Sequence, residues 1–141
     1  MPQAAALLVM AGLLVQQPPP PSGMRVLDFE FFKTRVQPIF LYKRKGNARC
    51  VVCHSHGAGG FQLQPPPANG TAWNEEESRR NFEAVRQRVV PGEPLKSLLL
   101  MNPLAAEAGG TDYHSGGKHW ISQNDPEWKT LADWVRGQSA R

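Results

Sequence analysis

Cysteine is nearly missing from this chain: its 141 residues contain two, Cys50 and Cys53. A framework of several disulfides and a four-thiolate zinc site are both excluded by that scarcity. There is no G-x-x-x-x-G-K or G-x-G-x-x-G stretch, so the glycine loops that cradle nucleotide phosphates are missing too. No internal repeat is present, which removes solenoids and propellers. Long apolar runs are also lacking. The run at residues 4–15 covers twelve positions, short of the roughly 20 needed to span a bilayer as a helix. A surplus of negative charge is absent as well: 16 Lys and Arg against 12 Asp and Glu leave a net charge of +4.

What is present is concentrated in one place. Both cysteines fall in Cys50-Val51-Val52-Cys53-His54, the C-x-x-C-H pattern of c-type haem attachment. The chemistry needs this spacing. Two thiols must reach the two vinyl groups on one edge of a porphyrin, and the next side chain must bring an imidazole to the iron. Cys50 and Cys53 are therefore expected to carry the thioether bonds of one covalent haem c, with His54 as the proximal iron ligand. The competing readings fit less well. A structural zinc ion needs four ligands and would have to recruit distant histidines. A thioredoxin-like pair needs a strand-to-helix junction that nothing near residue 50 suggests.

The length suits one domain. Residues 4–15 fit the apolar core of a signal peptide, although no Lys or Arg precedes them and no clear cleavage site follows. The alternative is a short anchor on a membrane or partner. Four prolines, Pro18 to Pro21, make an extended spacer, and the folded domain, 24–141, is expected to start near Met24. Asp28 is expected to cap a first helix carrying Phe32, Val36 and Phe40, bent at Pro38 and closed by Lys43-Arg44-Lys45 and Gly46. Residues 57–70 read as a loop whose Phe61 and Leu63 lie on the porphyrin. Asn74 and Glu77 form a capping box for a helix with Phe82, Val85 and Val89 on one face, ended by Pro91-Gly92. A short helix follows with Pro94 in its first turn and Leu95, Leu98 and Leu99 buried. After a long loop, Asp125 and Pro126 open a last helix bearing Trp128, Leu131 and Trp134, stopped by Gly137.

This order of elements, with Val36-x-Pro38-Ile39-Phe40, Pro91-Gly92-x-Pro94-x-x-Ser97-Leu98-Leu99 and His114-x-Gly116-Gly117, resembles a single-haem class I cytochrome c domain over residues 28–138. The likeness is greatest to bacterial domains of the kind common in planctomycetes and acidobacteria. It implies an all-α fold of four to five helices with long loops around one covalent haem. It also implies electron transfer as a carrier or a tethered subunit of a membrane-associated redox complex, not an enzyme in itself, on the periplasmic or exported side of a membrane. A redox partner protein is expected, and no nucleic acid.

The iron's far side departs from the better-known pattern, in which a Met precedes the last helix. His114 is expected there, giving metal ligands His54 and His114, while Met101 and His119 remain alternatives. Gly116 and Gly117 would let the His114 loop approach the porphyrin closely. A haem-based sensor or peroxidase-like subunit with an open or displaceable sixth position is the other functional reading. Seven of the basic residues lie between Arg25 and Arg49, either to steer an acidic partner or as a solvated face that offsets haem propionates. Trp120, Arg86 and Arg88 are further candidates for a propionate, each set against an ordinary place in the packing. His56 is expected to face solvent.

Overall fold

The structure, a computed structural model, describes residues 25–140. The apolar run, the proline spacer and the boundary near Met24 lie outside the described residues. Among the described residues the chain is all-α: there is no strand, only an isolated bridge between Leu104 and Trp120. No helix among them is long and apolar enough to cross a membrane.

The first helix is interrupted by its own sequence. Asp28 accepts from the Phe31 N–H at 2.6 Å and opens α1, Phe29–Phe31. A π-helical turn, Phe32–Val36, then leads into α2, Gln37–Leu41. Pro38 has no N–H for the α-ladder, and its ring collides with the carbonyl four residues back. The wider turn resolves this just before the proline, where Gln37 N–H donates to Phe32 O, five residues back. The expected bend is thus a π turn. The helix stops at Leu41, and Lys43, Arg44 and Lys45 fall beyond it; Arg44 is buried, so the basic run is not a uniformly solvated face.

Helix α3, Cys50–His54, holds the cysteine motif. Helix α4, Glu75–Arg86, opens with the expected capping box, Asn74 accepting from Glu77 N–H at 2.9 Å and Glu77 accepting from Asn74 N–H at 2.9 Å. It ends at Arg86, before Pro91-Gly92. A 3-10 turn, Pro94–Lys96, precedes α5, Leu98–Met101. The break between them shifts the register: Leu99 and Leu100 are buried, while Leu95 and Leu98 are 54% and 45% exposed. Helix α6, Pro126–Val135, has its Asp125 cap and its apolar face where the sequence puts them, and Gly137 at φ +86° stops it.

The core joins both ends of the described chain. Phe32, fully buried, meets Trp134 at 5.2 Å and Phe82 at 5.3 Å between ring centres. The Trp134 indole N–H donates to Asp28 O at 2.9 Å, pinning α6 on the start of α1. The buried polar side chains between α2 and α4 are paired, as their desolvation requires. Gln37 Nε2 donates to Ser78 Oγ, Asn81 Nδ2 donates to Gln37 Oε1, and Asn81 Oδ1 accepts from Gln64 N–H. That chain of bonds fixes α2 and α4 against the segment that follows the cysteine motif. Leu63 belongs to this core.

Candidate functional site

Helical periodicity assembles the first half of the site. Positions i, i+3 and i+4 share one helix face, so α3 presents Cys50, Cys53 and His54 together to a cleft. On the adjoining face Val51 is fully buried in the core, which locks the helix in that orientation, while Val52 on the far side is 46% exposed. The two cysteines are not joined in a disulfide. Burial pushes the Cys50 thiol up, and the Arg44 guanidinium opposes it.

His54 is 9% exposed, and its ring stacks on Phe61 with centres 4.0 Å apart and planes 16° from parallel. Burial lowers its pKa from the ordinary value; the backbone at Phe61 and Ala58 favours the charge, without a well-formed hydrogen bond to Nδ1. Gly59 passes very close: a β-carbon there would lie 2.9 Å from His54 Cε1. The glycines after the motif therefore make room for the imidazole.

The second half comes from the loop between α5 and α6. His114 Nδ1 lies 2.7 Å from Gly117 O. A carbonyl can only accept, so Nδ1 carries the proton and Nε2 is left with its lone pair. This is the arrangement in which a histidine ligand is oriented by a backbone carbonyl. Gly116 lies close under the ring, where a β-carbon would sit 3.2 Å from His114 Cε1. The loop is stapled by Lys118, whose Nζ donates to Asn102 O at 2.8 Å and to Thr111 O.

His54 and His114 face each other with ring centres 6.5 Å apart and planes 20° from parallel. An imidazole nitrogen lies about 2.0 Å from a bound metal and about 1.1 Å from its own ring centre, so two rings sharing one ion have centres about 6.2 Å apart. The pair has the spacing of two axial ligands. The cleft is partly open to solvent. Phe40, Leu98, Leu99, Pro103 and Trp120 give it apolar walls. Among the described residues no three His, Cys, Asp or Glu side chains gather as a bare ion would need. Two opposed imidazoles beside two thiols match a metal whose remaining ligands come with a macrocycle, and the residues fit a covalent haem.

The other candidates sort by position. Met101 does not line the cleft. His119 does, 5.6 Å from His114 between ring centres, with its pKa lowered to about 4 by burial first and then by Arg44, His114 and His54. Trp120 lines the cleft, but its indole N–H is spent on Glu127 at 3.1 Å. Arg88 reaches the cleft while donating to Gly60 O at 3.0 Å, whereas Arg86 pairs with Glu83 on the outer face of α4. His56 is exposed. Phe61 lines the cleft and Leu63 does not. Sequence reading missed Gly59, whose only signal is the glycine-rich run after the motif, and the pairing of Arg44 with Glu127, which are 83 positions apart. No family model, curated protein or solved structure matches the chain.

Proposed function

We propose that the protein is a single-haem electron-transfer protein of the class I cytochrome c type, its haem bound covalently through Cys50 and Cys53 and held between His54 and His114. The observation that carries this reading is the pair of imidazoles whose ring centres lie 6.5 Å apart with planes 20° from parallel, with both motif cysteines on the same cleft. Bound there, the haem supplies a one-electron couple. The chain's residues do the rest. Val51 anchors the α3 face, Gly117 O orients His114, and the apolar walls keep water from the ring, which limits reorganisation. His54 and His114 would both hold the metal and leave no site on it for a substrate, so the protein would work as a carrier or tethered subunit, not as an enzyme. Imidazole on the far side in place of thioether favours the oxidised state and gives a lower potential than a His/Met pair in a similar pocket. Attachment of this kind places the domain on the exported side of a membrane, with residues 1–23 as export signal or anchor and a redox protein as partner.

The test is expression of the full chain with a c-type maturation system. Haem staining after denaturing electrophoresis should show a coloured band, and intact mass should exceed the polypeptide by one haem. The visible spectrum should be low-spin and unchanged by carbon monoxide. A colourless chain overturns the proposal. Prompt gas binding by a loaded chain replaces it with the sensor or peroxidase-like reading.

A further inference from the structure

One layer behind the cleft wall lies a charged pair that the electron-transfer reading does not use. Arg44 is 9% exposed. Its Nε donates to Glu127 Oε2 at 2.7 Å, and its Nη2 donates to the same oxygen and to Ile39 O at 3.3 Å. Its Nη1 is buried with no partner. Both members of the pair touch Trp120, a cleft-lining residue: the guanidinium lies 5.6 Å from the indole centre, and Glu127 accepts the indole N–H. Cys50 and His119, also on the cleft, both feel the Arg44 charge.

Such a pair is an odd way to gain stability. Burying the Arg44 charge against a carboxylate whose side chain is 25% exposed is costly, and apolar residues of similar volume often do as well or better. An unpaired guanidinium nitrogen adds to the cost. The field the pair casts is not balanced at the cleft either. The Arg44 side chain is 9% exposed and the Glu127 side chain 25%, so solvent screens the carboxylate more than the guanidinium. In a medium of low effective dielectric, a net positive field of this kind persists over the few ångströms that separate it from the site.

We propose that Arg44 and Glu127 form a partly buried tuning pair that sets the reduction potential of the centre, Arg44 raising it and Glu127 partly offsetting Arg44. This rests on the electron-transfer reading. A positive field favours the reduced state, which carries one less positive charge. Arg44→Gln should therefore lower the potential: at a fixed applied potential the reduced-to-oxidised ratio falls about tenfold, which is 59 mV for a one-electron couple. Glu127→Gln should move it the opposite way, by less, and the double variant should lie between the single variants. A merely structural pair would give no such pattern, because damage to packing does not change sign with the charge removed.

Spectroelectrochemical titration of the haem-loaded full chain at pH 8 reads all three variants. Shifts of opposite sign support the proposal, and shifts of the same sign or none overturn it. If Arg44→Gln does not accumulate, Glu127→Gln against Glu127→Asp carries the test: only the neutral variant should raise the potential, and equal values overturn the proposal. A wild-type chain that takes up no haem instead overturns the reading beneath it.

Discussion

Gly59 offers a way to strike His54, the proposed proximal ligand, without touching it. Its φ is +66°, where a side chain costs roughly 1–2 kcal/mol. A β-carbon there would also meet His54 Cε1 at 2.9 Å, closer than real contacts allow. The ring is buried and already stacked on Phe61 at 4.0 Å, so it has little room to yield. Forcing it off its rotamer adds about 0.5–1.5 kcal/mol. Gly59→Ala should therefore destabilise the haem-loaded protein by about 2–3 kcal/mol, in urea unfolding followed by far-ultraviolet circular dichroism. Gly46 supplies the control, since its φ is +80° and nothing lies within 4 Å of an added β-carbon. Gly46→Ala should show the backbone cost alone, about 1–2 kcal/mol. The excess at Gly59 belongs to the imidazole, and it should come with a changed Soret band that Gly46→Ala lacks. Equal losses at the two glycines, with identical spectra, would refute the claim that Gly59 shapes the His54 site.

Three further outcomes follow from the same geometry. His114→Ala should turn the iron high-spin or open it to carbon monoxide, while Met101→Leu stays low-spin; the reverse result would make Met101 the distal ligand. Phe32→Ala removes the ring on which Trp134 and Phe82 converge, and should cost about 3–5 kcal/mol in the same unfolding assay; a loss under 1 kcal/mol would contradict that packing. His119, lowered to about 4 mainly by burial, stays neutral in the fold while the unfolded imidazole, near 6.5, takes a proton. Its contribution is thus complete above about pH 6.5 and disappears as pH falls toward 4, so unfolding midpoints should drop across that window and His119→Gln should flatten the slope.

The two ends of the fold are legible in the sequence because their signals are local. Asp28, the Asn74 and Glu77 box and the Asp125-Pro126 start each satisfy orphaned N–H groups within three residues, and the structure has all three. The candidate site was legible for a different reason: attachment chemistry fixes the spacing of Cys50, Cys53 and His54, and a glycine-flanked histidine in a long loop marks a close approach. The Arg44 and Glu127 pair was not. A basic run reads as surface unless something distant neutralises it, and no local pattern announces a partner on α6.

Leu98 marks a subtler limit. Counting helical turns from Pro94 assigns Leu95, Leu98 and Leu99 to one buried stripe, but the chain leaves the 3-10 turn at Ser97 in extended backbone and restarts. The stripe is split, and Leu98 ends 45% exposed on the lip of the cleft. Periodicity counts only surfaces that protein covers. A large apolar side chain left open on a cleft is surface that a bound apolar group would cover. The structure thus overturns the burial expected of Leu98, and under the proposed function the haem would be the surface that covers it. Leu98→Asp should then disturb haem uptake more than the unfolding of loaded protein that has already formed its thioethers, whereas Leu95→Asp, exposed and off the cleft, should disturb neither.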